Sequence, residues 1–154
     1  MDDDLNLDLD WGAPDLDPGA ILARVRALDN NSIEAALATP DRDRILRGIF
    51  GAVASIVDPV KANGIDAAIH FKIWDRPGGG YDHLEIVVVD GSGTLSPIPS
   101  RQPKLTIKGR ASDLMRVALG EANPIRLGLA RRIGVAGDLG FARKLDGLFD
   151  LPGR

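Results

Sequence analysis

The chain has 154 residues, of which 44% are hydrophobic, so it is long enough to bury the core of one ordinary domain. It contains no cysteine, which excludes disulfide bonds, thiolate metal sites and cysteine nucleophiles and agrees with a reducing compartment. The formal net charge is only −3 and aromatic residues make up 5%, which argues against a nucleic-acid-binding platform.

The first 18 residues differ from the rest of the chain in charge. They contain seven aspartates and no Lys or Arg, which leaves residues 19–154 with 19 basic and 15 acidic side chains, a net +4. Because the acids alternate with leucine and repel one another, we predict a flexible acidic tail over residues 1–18. The alternative is a segment that binds a protein partner, or a basic groove of this chain itself, through the alternating apolar face of Leu5, Leu7, Leu9 and Trp11.

No targeting or membrane segment is evident in the sequence. The Met1–Asp4 start is acidic where a signal peptide needs positive charge, and no apolar run approaches the roughly 20 residues of a membrane span. We therefore expect a cytoplasmic protein that does not insert stably into membranes.

Two helical regions are predicted ahead of the strands. Residues 19–38 are expected to form an N-terminal helical extension, because apolar residues such as Ile21 and Val25 recur at helical spacing. A stronger helix is predicted after Thr39-Pro40, with a wide apolar stripe that continues until Asp58-Pro59 ends it.

The apolar pattern then changes to the alternation typical of strands. Four strands are predicted, over residues 69–73, 83–89, 94–95 and 104–108, and a glycine-rich turn makes the first two a hairpin. All four are candidates for antiparallel pairing, with one apolar and one wet face. Because the apolar face needs a cover that the amphipathic helices can supply, the predicted fold class is α+β: a single sheet with helices on one face.

The last third of the chain contains a more specific order of elements. We predict a helix capped by Ser112 and ended by Gly120 in the left-handed conformation, and a second helix that begins at Pro124. A short strand follows, and Gly137-Asp138 then turns the chain into a final amphipathic helix.

This order and spacing resemble the sterol carrier protein type 2 family of lipid-binding domains. The residues that carry the resemblance are Ser112-Asp113-Leu114, Gly120, Asn123-Pro124, Ile133, Val135, Gly137-Asp138, Ala142, Leu145 and Leu148-Phe149. The resemblance spans roughly residues 45–149 and is strongest from Leu105 onward. The chain departs from the family at Arg131, where a glycine is common, and in the Ser96–Pro103 connection, which is longer than usual.

The resemblance implies a five-stranded, mainly antiparallel sheet and an apolar tunnel between the sheet and the helices, within a domain of residues 39–151. The tunnel would hold a fatty acid, an acyl thioester, a sterol or an isoprenoid for transfer or presentation. Basic residues could dock an anionic head group at the mouth: Arg126, Arg131 and Arg132 near the last strand, with Arg143 and Lys144 on the far side of the last helix. The alternative is that these side chains form an ordinary solvated helix face. The expected lining residues are Ile69, Phe71, Ile73, Leu84, Ile86, Val88, Leu105, Ile107, Leu114, Val117, Phe141, Leu145 and Phe149.

Whether this interface is hollow or solid is left open by the sequence. Gly140 and Gly147 lie inside the last helix, where each costs roughly 0.5–1 kcal/mol relative to alanine. They indicate either close helix packing or a helix that can bend aside for a ligand. A solid interface would instead indicate a non-catalytic interaction or scaffold module. A third alternative is an accessory subunit that delivers an apolar substrate to a partner enzyme.

No constellation of catalytic or metal-binding residues is recognised. Gly78–Gly80 joins two strands and lacks the ending of a phosphate-binding loop, so we interpret it as a turn. His70 and His83 are predicted on the polar face of neighbouring strands, close to Glu85, but a further metal ligand at suitable spacing is missing. We therefore expect surface histidines, no metal, no cofactor and no enzymatic activity.

Overall fold

A computed structural model describes residues 17–149, which contain three helices, then four strands, two helices, a fifth strand and a last helix. The helices are α1 (Pro18–Arg26), α2 (Asn30–Leu37), α3 (Arg42–Ser55), α4 (Ala111–Ala118), α5 (Pro124–Leu129) and α6 (Leu139–Leu148). The strands are β1 (Ala67–Ile73), β2 (Asp82–Val89), β3 (Ser92–Leu95), β4 (Leu105–Gly109) and β5 (Ile133–Gly137). The predicted α+β class is confirmed. No helix within residues 17–149 is long and apolar enough to cross a membrane.

The acidic segment predicted as a flexible tail lies, up to residue 16, outside the described residues. Asp17 caps α1, since its carboxylate accepts a hydrogen bond from the Ala20 N–H at 3.2 Å. Helices α1 and α2 occupy the region of the predicted extension, and α1 buries Ile21, Leu22 and Val25 against the core. The domain boundaries inferred from the sequence stay a prediction.

The five strands form one mixed sheet in the order β3-β2-β1-β4-β5. Three of its four pairings are antiparallel, which confirms a mainly antiparallel sheet, but β1 and β4 run parallel. The expectation that the first four strands are all antiparallel is therefore wrong for this pair. The reason is the β3–β4 connection, residues 96–104. It carries the chain from the edge strand β3 across β2 and β1 to the far side of β1, where β4 begins.

The inner face of the sheet is the centre of the core. Alternate residues of the three central strands point to this face, and Ile69, Ile86 and Ile107 have no measurable exposure to solvent. Helices α3, α4 and α6 pack on this face, and the rings of Phe50 on α3 and Phe71 on β1 lie 4.9 Å apart. Each large side chain buried in this way contributes about 1.5–3 kcal/mol.

The chain uses specific caps to begin and end the helices of its last third. Asn123 accepts hydrogen bonds from the Ile125 and Arg126 N–H groups, with Pro124 in the first turn of α5, as the sequence predicts. Gly120, just after α4, has φ = 73° and so adopts the predicted left-handed conformation. Ser112 is not the predicted cap: it lies inside α4 and its hydroxyl donates to Glu34 of α2 at 2.8 Å.

The outer face of the sheet carries a buried polar network in place of the predicted surface histidines. Glu85 has no exposed area, and its carboxylate lies 2.8 Å from His70 Nε2. His70 Nδ1 in turn lies 2.8 Å from His83 Nε2. His70 is only 6% exposed, so the prediction of an exposed side chain is wrong for this residue. The two histidines do meet across the hairpin, as expected, because β1 and β2 pair in that register.

The β3–β4 connection causes this burial. The Ser100 and Arg101 N–H groups donate to the Glu85 carboxylate at 3.3 and 2.9 Å, which holds the connection against the outer face. Burial alone raises the pKa of Glu85, but these backbone donors, with Ser96 and His70, outweigh it and lower the pKa to about 2. Glu85 is therefore ionised, and its carboxylate holds the β3–β4 connection against the sheet.

Replacement of Glu85 by glutamine should destabilise the protein by about 1–3 kcal/mol at pH 7, because an amide cannot satisfy all of the buried donors. The folded pKa lies below the unfolded value of 4.5, so the carboxylate stabilises the fold above that value. This stabilisation is lost as the pH falls from about 4.5 to about 2. In urea unfolding, the difference in the free energy of unfolding between the wild type and Glu85→Gln should be smaller at pH 3 than at pH 7.

Glu121→Gln is the matched control, since Glu121 is exposed and bonded only to arginines. It should cost about 1 kcal/mol or less. The assigned role of Glu85 would be contradicted if Glu85→Gln were as stable as this control, or if the difference in stability between the wild type and Glu85→Gln did not change with pH.

Arg131, just before β5, adopts a backbone conformation that disfavours a side chain. Its φ is 62°, in the left-handed region, where a non-glycine residue costs roughly 1–2 kcal/mol. This position is the one at which the chain departs from the common glycine of the family it resembles. The geometry explains why glycine suits this corner.

We expect Arg131→Gly to be as stable as the wild type or up to about 1 kcal/mol more stable, whereas Arg131→Val should lose about 1–3 kcal/mol. Arg126→Gly is the control, because Arg126 lies within right-handed α5, where glycine costs about 1 kcal/mol. Chemical denaturation measures all three variants. A loss at position 131 as large as that at position 126 would show that the left-handed strain is not important.

Candidate functional site

The structure brings all thirteen predicted lining residues into one buried cluster. Eight come from the inner face of β1, β2 and β4, and five come from α4, α6 and the residue after α6. None is more than 5% exposed. The periodicity of the sequence therefore locates the apolar interface between sheet and helices, while its role as a ligand site stays a prediction.

Helix α6 closes one side of this interface and is fastened at both ends. At its start, the Asp138 N–H donates to the Lys104 carbonyl at 3.0 Å, and the Asp138 carboxylate caps the Phe141 N–H at 3.0 Å. At its end, the Asp58 N–H donates to the Leu148 carbonyl at 2.9 Å. Between these points α6 packs by its apolar face, with Phe141, Leu145 and Leu148 all buried.

Two adjoining cavities follow α6 along its contact with the segment after α3. Each has a volume of about 430 Å³, and the two share Ile65 and Lys144. We call them together the α6 groove. Its lining residues are Lys61, Gly64, Ile65, Asp66, Ala67, Lys104, Asp138, Gly140, Phe141, Arg143, Lys144, Gly147 and Leu148. The groove is open at the surface and reaches the core at Phe141 and Leu148.

The rim of the α6 groove has a surplus of positive charge. It carries four basic side chains and two acidic ones, and both acids have partners: Asp66 pairs with Arg101 at 2.6 Å and Asp138 with Lys104 at 3.4 Å. The capped Phe141 N–H and, to a lesser extent, Lys104 hold the pKa of Asp138 below its usual value. For Lys61, Arg143 and Lys144 no acidic partner is found among the side chains that the structure describes. An anionic group at the rim would therefore meet unneutralised cations.

The two glycines of α6 do not serve close packing against another element. A β-carbon at Gly147 would meet only the flexible end of Lys61, at 3.3 Å from Nζ. A β-carbon at Gly140 would meet only the Asp138 carboxylate, also at 3.3 Å. Neither contact explains a cost of about 0.5–1 kcal/mol per glycine within the helix. The two glycines therefore lower the helix propensity of α6, although its packing does not require them.

The predicted head-group residues lie at the corner between α5 and β5 and do not line the α6 groove. Arg126, Arg131 and Arg132 are exposed there. The Arg132 guanidinium donates to the buried carboxylate of Asp113 at 2.7 Å. Arg143 and Lys144 of the groove lie on α6 and were considered from the sequence, whereas Lys61 and Lys104 were not, because they are distant in sequence from α6. Only the strand pairing and the loop after α3 bring them there.

No metal centre is evident in the described part of the chain. Residues 17–149 contain no group of three or more His, Cys, Asp or Glu side chains arranged to hold an ion. Buried Glu85 and His70 and half-buried His83 are joined to one another by hydrogen bonds.

Sequence comparison places most of the described chain in one family. Residues 56–150 match the SCP-2 sterol transfer family. Sterol carrier protein 2 of Oryctolagus cuniculus is 32% identical over 94 residues, which cover 61% of this chain and 17% of the rabbit protein. Sterol carrier protein 2 of Homo sapiens is 31% identical over 93 residues, 60% of this chain and 16% of the human protein. The chain therefore corresponds to about a sixth of the length of these relatives.

Solved structures agree on the fold. Sterol carrier protein 2 from Yarrowia lipolytica, in its apo form, superposes with a TM-score of 0.53 at 14% identity, over 73% of this chain and 94% of that one. A sec-alkylsulfatase from Pseudomonas sp. contains a similar part, with a TM-score of 0.54 at 17% identity, over 73% of this chain and 16% of that one. Since the family match covers more than half of its residues, the chain belongs to the SCP-2 sterol transfer family.

Proposed function

We propose that this chain binds a hydrophobic ligand between the sheet and the helices and transfers or presents it without catalysing a reaction, in the cytoplasm. The ligand classes are a fatty acid, an acyl thioester, a sterol or an isoprenoid. The observation that carries the proposal is the apolar inner face of the sheet, closed on one side by a helix that has a glycine next to each of its end residues and a groove beside it. Membership in a sterol transfer family supports it.

Ligand entry requires α6 to move. The central inner-face side chains Phe71 and Ile107 are at most 1% exposed, so an acyl chain reaches them only where other apolar side chains withdraw. Displacement of Phe141, Leu145 and Leu148 would cost about 5–9 kcal/mol, at about 1.5–3 kcal/mol each. A chain of about fifteen methylenes brings roughly 12 kcal/mol at about 0.8 kcal/mol each, before association costs. The free energy lost when these side chains are displaced and the free energy gained from the ligand are therefore similar, which suits reversible uptake and release.

The charges at the rim suggest how an anionic ligand is oriented. An acyl tail that enters beside Phe141 leaves its carboxylate near Lys61, Arg143 and Lys144. Arg126, Arg131 and Arg132 are the alternative anchor, at the other side of β5. A neutral sterol needs neither set, so head-group charge should affect fatty acids selectively.

A scaffold module with a filled cavity is the second candidate. The tight packing of the inner face, where Ile69, Ile86 and Leu105 have no exposed area, favours it. The two candidates differ in a simple measurement. A carrier stripped of bound lipid takes up an apolar probe at micromolar concentration, and a scaffold does not.

Fluorescent fatty-acid displacement on delipidated protein tests both the carrier function and the anchor. We expect micromolar or tighter binding, and Lys144→Glu should weaken the affinity for fatty acids about three- to tenfold while leaving neutral sterols unaffected. Lys108→Glu is the matched control, because Lys108 is exposed on the outer face of β4. Arg126→Glu tests the alternative anchor. Absence of uptake for every ligand class would remove the carrier function, and equal effects at positions 144 and 108 would remove the anchor.

Replacement of Gly147 by alanine tests whether α6 is the moving element. The added methyl group meets only the movable Lys61 side chain, so helix propensity should dominate and stability should rise by about 0.5–1 kcal/mol. If α6 must bend or withdraw, stopped-flow uptake of the fatty-acid probe should be several-fold slower in this variant. Ala23→Gly, at an exposed position of α1, is the control for a remote change in helix propensity. A Gly147→Ala variant that is more stable but takes up the probe at the wild-type rate would exclude α6 as the gate.

A further inference from the structure

A polar pocket lies at the end of the sheet opposite to the α6 groove. It has a volume of about 320 Å³ and is formed where β1 ends, β2 begins and α3 starts. We call it the hairpin pocket. Its lining residues are Pro40, Arg42, Asp43, Arg47, Arg76, Tyr81, Asp82, His83 and Leu84. The α6 groove meets the sheet at Ala67 and Lys104, near the opposite ends of β1 and β4. The lipid function therefore does not account for the hairpin pocket.

A buried relay fixes the chemistry of His83 in this pocket. The ionised Glu85 can only accept a hydrogen bond, so His70 must carry its proton on Nε2, 2.8 Å away. In the neutral ring His70 Nδ1 is then an acceptor and receives the N–H of His83 Nε2, also at 2.8 Å. His83 Nδ1 remains as a lone-pair acceptor with no hydrogen-bond partner among residues 17–149. The buried carboxylate thus sets the tautomer of a histidine two steps away.

The surroundings of His83 favour its neutral form. Burial is the largest cause that lowers the pKa of His83, and the positive charge of Lys72 lowers it further, against a smaller opposite effect of Glu85. Lys72 lies directly across from His83 in the β1–β2 register, and its Nζ is 5.4 Å from the Tyr81 ring centroid. At neutral pH His83 is therefore an acceptor beside a cationic surface.

The arginines of the pocket differ in how fully they are engaged. Arg42 is bound to Asp82 at 2.7 Å and to Asp75 at 3.4 Å, and Arg47 is bound to Asp43 at 3.3 Å and to backbone carbonyls. Arg76 approaches only Asp82, at 4.0 Å, and its side chain is 54% exposed.

The remaining groups complete a site for an anion. No hydrogen bond of the Tyr81 hydroxyl is found in the described part of the chain. The three arginines exceed the two aspartates among the lining residues, so the pocket carries a net charge of +1 when His83 is neutral. Two donors, Arg76 and Tyr81, and one acceptor, His83 Nδ1, line the same cavity.

We propose that the hairpin pocket binds a phosphate group that carries a proton. Arg76 and Tyr81 donate hydrogen bonds to its unprotonated oxygens, and His83 Nδ1 accepts the P–O–H proton. The group can be inorganic phosphate or the monoester of a small molecule, since 320 Å³ leaves room beyond a phosphate ion. Sulfate has the same shape at neutral pH but no proton to donate, so it is the discriminating probe.

Calorimetric titration at pH 6.5 with inorganic phosphate, glycerol phosphate and sulfate tests the site. We expect phosphate or glycerol phosphate to bind at least about tenfold more tightly than sulfate, the effect of one hydrogen bond to the half-buried His83 acceptor. The tighter of the two phosphates identifies the source. His83→Phe should abolish the preference over sulfate, Arg76→Gln should weaken both phosphate and sulfate, and Lys108→Gln should change neither.

Nitrogen NMR of the histidine rings keeps the test decisive if His83→Phe fails to fold. Phosphate should shift the Nδ1 resonance of His83 in the wild-type protein, and sulfate should not. Sulfate binding as tight as that of phosphate, an unshifted Nδ1, or no saturable binding of either phosphate would overturn the proposal. Fatty-acid uptake at the α6 groove should be the same in Arg76→Gln and in the wild type, so failure here is separable from failure of the carrier function.

Discussion

Burial of one sheet face under α3, α4 and α6 is the interaction on which the rest of the structure depends. Each side chain of that face, such as Phe71 or Ile107, contributes about 1.5–3 kcal/mol only while a helix or another apolar group covers it. A lipid chain and the apolar face of a helix both cover such a surface with hydrocarbon groups. The proposed ligand site uses the same surface that stabilises the fold, and α6 is the cover that is proposed to move.

The outer face solves the opposite problem. Because β4 joins the sheet beside β1, the β3–β4 connection must pass the polar side, where its N–H groups need acceptors. Glu85 supplies them, and its burial draws His70 and then His83 into a chain of hydrogen bonds that ends at a pocket. The sheet thus separates the proposed ligand site on one face from the proposed phosphate site at the end of the other.

Local patterns in the sequence predict much of this fold, and long-range geometry accounts for what they miss. Asn123-Pro124 and Gly137-Asp138 determine helix starts through contacts within three residues, so they can be identified from the sequence. Alternation places Ile69 and Ile86 on the inner face for the same reason. The parallel pairing of β1 with β4, the burial of His70 and the approach of Lys61 to α6 depend on which segments meet in space. The spacing of residues along the chain does not determine which of these segments come into contact.

The most direct test of the account is the position of a bound acyl chain. Intermolecular NMR contacts can be measured between the terminal methyl group of an isotope-labelled fatty acid and the side chains of the delipidated protein. If the acyl chain lies between the sheet and the helices, we expect contacts from that methyl group to inner-face residues such as Ile107 and to Leu145 of α6. Contacts confined to exposed residues such as Ile98 or Leu129, with none to the inner face, would contradict it.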